Sequence, residues 1–96
     1  MDNLKQIVRE VVFGYAGGSP VVRTYKLADE EHGVYAVNII DWPKRKRPPS
    51  IVVMAHVDGE KVVIEEDNTD RPLVDALVNA GIPREQIELA YLDTVA

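Results

Sequence analysis

The first fifteen residues place apolar side chains at alternating intervals of three and one, which is the spacing of one face of a helix. The apolar positions are Leu4, Ile7, Val8, Val11, Val12 and Tyr15. Asp2 or Asn3 can cap the start, and the Gly-Gly-Ser-Pro sequence at 17–20 ends the pattern. Because β-branched residues are mediocre helix formers, we expect this amphipathic helix to depend on packing against a sheet.

The period changes to two after residue 20, which predicts strands. The predicted strands are 21–27, 34–40, 51–57 and 61–65. A polar turn at 28–33 joins the first two into a hairpin, and the Asp58-Gly59 pair predicts a tight primed turn between the last two. Four antiparallel strands in sequence order are the simplest arrangement of these segments.

A second helix is predicted from about residue 70 to residue 80. A capping cluster at 66–70 precedes it, Pro72 suits a first turn, and Gly81 followed by Pro83 ends it. Residues 85–92 alternate weakly and predict a short helical turn followed by an edge segment. The fold class is therefore α+β: an N-terminal helix, a four-stranded antiparallel sheet, a C-terminal helix and a short tail. Both helices can cover one sheet face.

Length and composition limit the chemistry. The chain has 96 residues and no cysteine, which fits a single domain over 1–96 and excludes a disulfide framework, a cysteine zinc site and a thiol nucleophile. We expect no cofactor. The longest apolar run, 51–55, is far too short to span a bilayer, and the first residues do not resemble a signal peptide. These features predict a cytoplasmic protein with no membrane association.

The net charge of −5 is unevenly distributed along the chain. Residues 1–50 carry 8 Lys or Arg and 6 Asp or Glu, whereas residues 51–96 carry 3 and 10, which leaves +2 and −7. Non-specific affinity for nucleic acid comes mainly from basic side chains, so an acidic chain is a poor general binder of DNA. Any basic function must be local.

The candidate catalytic and metal-binding residues are few. His56 and Asp58 are two residues apart at a strand end and could share a proton or an ion, but a turn aspartate beside a half-buried histidine explains them more simply. His32 lies in an acidic, solvated turn. The acidic residues Glu65, Glu66, Asp67 and Asp70 could surround a divalent cation, although their spacing matches no calcium loop. Capping of the second helix is the simpler interpretation.

One basic segment could contact phosphate. It consists of Lys44, Arg45, Lys46 and Arg47, and prolines flank it on both sides. Four such contacts would give weak, salt-dependent binding, and the alternative is a solvated loop whose charges deter association of strand edges. Trp42 beside it is either a lid on the core or an interface anchor, of which the lid is the more conservative interpretation.

Three collinear segments resemble a known family. They are 35–42, 52–70 and 77–87, with the Asp-Asn-Thr-Asp turn at 67–70 and the Ala-Gly-Ile-Pro-Arg-Glu-Gln-Ile sequence at 80–87 as the most specific parts. In this order they resemble the XisI-like family, the fdxN element excision controlling factors. The family's longer C-terminal extension is shortened here to 91–96, so a partner contact made by that tail would be lost or rebuilt.

The resemblance implies a non-enzymatic accessory factor for excision of a DNA element, acting with a nuclease-like companion protein. On this hypothesis the acidic half binds the partner. The candidate partner-binding residues are Glu65, Glu66, Asp67, Asp70, Asp75 and Trp42. The alternative is a small DNA-binding or metal-dependent module that uses residues 44–47 for phosphate and His56 with Asp58 for an ion. Exposed sheet edges also make a homodimer plausible.

Overall fold

The computed structural model describes residues 3–92, which form two helices packed on one face of a mixed sheet. The helices are α1, Asn3–Phe13, and α2, Leu73–Asn79. The strands are β1, Val22–Asp29; β2, Val34–Asp41; β3, Ser50–Asp58; β4, Lys61–Asp67; and β5, Ile87–Leu89. Short 3-10 turns at 84–86 and 90–92 flank β5. No helix within the described residues is long and apolar enough to cross a membrane.

The sheet has five strands in the order β1-β2-β3-β4-β5. The first four pair antiparallel, as their hairpin signals predict, but β5 pairs parallel to β4 through Val62 with Ile87 and Ile64 with Leu89. The predicted four-stranded antiparallel sheet is therefore wrong, whereas the α+β class and the helical turn followed by an edge segment are confirmed. The chain reaches the far side of β4 through α2, and this connection makes the parallel pairing possible.

The hydrophobic core lies between the helices and one face of the sheet. Its fully buried side chains include Val8, Val12, Tyr35, Val37, Val53, Val62, Ile64, Leu73 and Leu77. The predicted apolar stripe of α1 thus supplies Val8 and Val12, while Leu4, Ile7 and Val11 pack at its margin. The predicted cap at Asp2 lies outside the described residues, as does the tail beyond Leu92.

Two glycines set the turns that the sequence predicts. Gly59 has a φ of 65° and is followed by Glu60, whose φ is not positive, between the paired residues Asp58 and Lys61. The central pair is therefore Gly59-Glu60 rather than Asp58-Gly59, and these φ signs fit a type II′ turn. Gly81, with a φ of 108°, follows α2. Its N–H bonds the Val78 carbonyl, and the N–H of buried Ile82 bonds the Leu77 carbonyl, which is a Schellman motif.

Candidate interaction site at the basic loop

The connection between β2 and β3 folds around one carboxylate, that of Asp41 at the end of β2. Asp41 is 8% exposed and accepts backbone N–H bonds from Lys46 and Arg47, at 3.2 and 3.0 Å. The Arg47 guanidinium adds bonds from Nε, at 3.2 Å, and from Nη2, at 2.5 Å. The hydrogen bond from Arg47 holds the pKa of Asp41 below its usual value, and Asp41 in turn raises the pKa of Arg47. The loop is therefore an ordered structure.

Trp42 lies next to Asp41 and is half-buried, outside the hydrophobic core. The guanidinium carbon of Arg23, on β1, lies 4.0 Å from the ring centroid, and that of Arg45 lies 5.6 Å from it. Both distances fit cation–π contacts. The interpretation of Trp42 as a lid on the core is wrong, because the ring packs against arginines of the surface rather than against the core.

A cavity of about 540 Å³ opens beside this tryptophan. Its lining includes Val21, Trp42 and Pro43 as apolar residues together with Lys44 and Lys46. Val21 is 67% exposed, and the Trp42–Pro43 peptide bond is cis. Within residues 3–92 neither lysine forms an ion pair, unlike Arg47. The cavity thus combines an apolar surface with two unpaired ammonium groups.

The four loop cations are therefore not equivalent. Arg47 is held by Asp41 and Arg45 lies over Trp42, so only Lys44 and Lys46 have side chains without a described polar or aromatic partner. The structure brings the predicted phosphate-binding residues together with Trp42, which the sequence analysis had placed in a different set. Two features had no signal in the sequence: Asp41 as the organising residue, and the contribution of Val21, just before β1, and of Arg23 on β1.

The acidic residues of the predicted partner-binding set differ in the contacts that they make. Glu65 Oε2 lies 2.9 Å from His56 Nδ1, and Glu66 accepts a bond from the Asn68 side chain.

Asp67 accepts bonds from the Thr69 N–H, the Thr69 hydroxyl and the Leu73 N–H, the last at 2.7 Å. It therefore satisfies a free amide at the start of α2, as the capping interpretation predicts.

Asp70 and Asp75 of the same set are exposed. Asp75 lies in the first turn of α2, and Val78, one turn further along that helix, is 39% exposed. Residues at this spacing lie on the same side of a helix. Among the predicted acidic residues, Asp70 and Asp75 are thus the two whose carboxylates make no described hydrogen bond or ion pair.

Each of the two histidines contacts a carboxylate close to it. His56 contacts Glu65 rather than Asp58, so the structure agrees with the simpler interpretation of a half-buried strand histidine beside a turn aspartate, and not with the alternative in which His56 and Asp58 share a proton or an ion. The register of β3 and β4 skips Glu65, since Met54 pairs with Glu66 and Ala55 with Ile64. His32 bonds Asp29 through its backbone N–H and its Nδ1, in an exposed group that also includes Glu31. These contacts stabilise a solvated turn.

Comparison with known proteins identifies the family. The XisI protein family model matches residues 1–95. A XisI-like protein from Anabaena variabilis ATCC 29413 has a similar structure, with a TM-score of 0.81 and 23% identity over 93% of this chain and 84% of that one. A second structure, of the fdxN element excision controlling factor XisI from the same organism, has a TM-score of 0.67 and 24% identity, over 91% of this chain and 88% of that one.

No similar sequence was found among curated proteins. The family match nevertheless covers nearly the whole chain, and the two solved structures share its fold. The segments that resembled this family in the sequence, 35–42, 52–70 and 77–87, contain β2, most of β3, β4, the end of α2 and the start of β5. The chain belongs to the XisI protein family.

Proposed function

We propose that this protein is a non-enzymatic accessory factor in the control of DNA element excision, and that it acts by binding a companion protein rather than DNA. Family membership supports the link to excision control, since a structural relative is an fdxN element excision controlling factor. The preference for protein over DNA rests on how many of the cations at 44–47 already have a partner within the chain. The charge of Arg47 is balanced by Asp41 and Arg45 lies over Trp42, which leaves Lys44 and Lys46 without a described partner.

Two free lysines in a chain of net charge −5 supply little of the electrostatic attraction on which DNA binding depends. The segment that contains α2 offers a better-matched surface for protein. Asp75 and the partly exposed Val78 lie on the same side of α2, and Asp70 is exposed in the turn before this helix. A nuclease-like companion carries basic side chains for its own DNA contacts, and opposite charges of this kind speed encounter and select partners.

The direct experiment is co-expression of the chain with the product of the adjacent gene, which the proposal expects to be nuclease-like, followed by size-exclusion chromatography with light scattering. A complex is expected for the wild type. The double variant Asp70→Lys/Asp75→Lys should weaken it at least tenfold, because like charges then face the partner. Glu60→Lys, an exposed reversal in the β3–β4 turn, is the matched control and should leave the complex intact. Equal binding by both variants would contradict the role of the α2 surface.

DNA contact through Lys44 and Lys46 is the second candidate, and the absence of ion pairs at these two lysines favours it within the described residues. Fluorescence anisotropy with a labelled duplex at about 50 and 200 mM salt tests it. We expect no binding at micromolar protein for the wild type. Salt-sensitive binding that Lys44→Ala/Lys46→Ala abolishes would replace the proposal with this alternative.

A further inference from the structure

Strand β1 forms one edge of the sheet, and the direction of its backbone groups can be assigned residue by residue. The Trp42 N–H bonds the Val21 carbonyl at 2.9 Å, so odd-numbered residues of this strand direct their N–H and C=O groups towards β2. Even-numbered residues direct theirs away from the sheet. Val22 agrees with this assignment, because its outward N–H and C=O exchange bonds with Ser19 at 3.4 and 3.2 Å.

Beyond Val22 the outward groups belong to Thr24, Lys26 and Ala28, and no strand within residues 3–92 pairs with them. The Ser19–Val22 bridge limits this free edge at one end, and the turn at 30–33 limits it at the other. An open groove of about 730 Å³ lies along it, between residues 16–19 and 22–26. The free edge therefore runs from Arg23 to Asp29, and Lys26 is its midpoint.

We propose that a second copy of this chain pairs with this edge, β1 against β1, in a two-fold symmetric antiparallel arrangement centred on Lys26. The register follows from the two limits, because only pairing centred on Lys26 overlaps the whole free edge of both copies. Arg23 then lies opposite Asp29 of the second copy, and Tyr25 lies opposite Leu27. In this register Lys26 faces Lys26 of the second copy, and Thr24 of each copy faces Ala28 of the other. Each of these three residue pairs exchanges two backbone hydrogen bonds, about six in total.

The side chains of the free edge complement one another in this register. Lys26 lies over Phe13 of α1, so even residues face the helices and odd residues face the uncovered side of the sheet. On that side Tyr25 and Leu27 are 46% and 45% exposed, and pairing places an aromatic ring against an aliphatic side chain twice. The two Arg23–Asp29 pairs bring opposite charges together at the ends, where within each chain Arg23 also lies over Trp42 and Asp29 also bonds His32. An exposed edge strand of this length is a template for such association.

Lys26 opposes the pairing, because its own copy faces it across the two-fold axis. Its ammonium group, however, lies 5.8 Å from the ring centroid of Phe13 in the same chain, which directs the charge towards α1. The dimer should therefore be concentration-dependent rather than permanent, and removal of this charge should strengthen it. This surface is separate from Asp70 and Asp75, so the inference does not depend on the proposed partner.

Sedimentation equilibrium of the purified chain tests the pairing with a matched pair of variants. Lys26→Pro removes an outward N–H and no hydrogen bond of the β1–β2 ladder, and dimerisation should weaken at least tenfold. Lys26→Ala removes the same charge without blocking the edge and should dimerise as well as or better than the wild type. A wild type that stays monomeric up to about 1 mM, or a Lys26→Pro variant that dimerises like Lys26→Ala, would overturn the proposal.

A charge-reversal cycle tests the register through the side chains at the two ends of the free edge. Arg23→Asp or Asp29→Arg alone should weaken dimerisation about tenfold, because each places like charges opposite one another. The double variant should return to within about threefold of the wild type. Arg23 and Asp29 of one chain are too far apart along the strand to compensate within it. Failure of the double variant to recover, with both single variants folded by circular dichroism, would contradict the assigned register.

Discussion

Arg47 and Asp41 are joined both through the guanidinium group and through the backbone N–H of the arginine, so that one carboxylate orients the loop between β2 and β3. The pair places Lys44, Lys46 and Trp42 around the same cavity. It also balances the charge of one loop cation, because Arg47 is exposed to solvent but paired with Asp41. The relationship thus explains the order of the basic loop.

Asp41→Asn should destabilise the protein, because an amide oxygen cannot balance Arg47 and accepts fewer of the N–H bonds that the loop directs at this position. We expect a fall in Tm of about 5 °C, measured by circular dichroism. Lys44→Ala is the control within the same loop and should leave Tm unchanged within error. Equal Tm values for the wild type and Asp41→Asn would show that Asp41 does not organise the loop.

The same pair predicts an acid-dependent component of stability. Because the folded pKa of Asp41 lies below its ordinary value of 3.8, its ionised form is stabilised by folding. This contribution is fully present above the ordinary pKa and is lost as the pH falls through the lower, folded value. Urea unfolding from pH 7 to pH 2 should therefore show a difference between wild type and Asp41→Asn that narrows below about pH 4. A constant difference would contradict the assignment.

Asp67 links the end of β4 to the start of α2, and its removal should loosen that helix. Asp67→Ala leaves the Leu73 N–H and the Thr69 N–H without their acceptor, at an expected cost of about 1–2 kcal/mol in the free energy of unfolding. Asp70→Ala, three residues away and exposed, should cost less than about 0.5 kcal/mol. Equilibrium unfolding in urea distinguishes the two, and similar losses for both would argue against capping by Asp67.

Tyr35 gives the protein an alkaline limit. Burial of its ring, with a smaller contribution from the bond that its hydroxyl donates to Glu30, raises its pKa to about 12. Since the folded pKa exceeds the ordinary value of 10.0, the stabilisation is fully present below pH 10 and is lost as the pH rises towards 12. The loss of stability between pH 10 and pH 12 should therefore be smaller in Tyr35→Phe than in the wild type. Titration of all tyrosines near pH 10 in the folded wild type would contradict this.

The sequence predicted the elements whose signals are local. The helical spacing of α1, the two hairpins and the end of α2 at Gly81 each depend on neighbouring residues, and each is found. Strand β5 was recognised only as an edge segment, because three residues carry almost no periodicity and its parallel partner lies across α2. The family itself could be recognised because its motifs are collinear over most of the chain.

The candidate site was harder to predict because its contacts are distant in sequence. Trp42 meets Arg23 across the β1–β2 pair, which no local pattern encodes. Asp41 resembles any acidic residue at a strand end until the loop folds back on it. Glu65 contacts His56 across the β3–β4 pair, as a diagonal neighbour of the His56–Val63 pair, and this contact depends on a strand register that no local pattern encodes.

We expect the chain to act through a protein surface and not through DNA. The most direct test is light scattering of the chain mixed with the product of the adjacent gene, at about 10 µM each and without DNA. We expect a complex that Asp70→Lys/Asp75→Lys disrupts and that Lys44→Ala/Lys46→Ala leaves intact. Separate elution of the two proteins, or a complex that only the lysine variant disrupts, would contradict it.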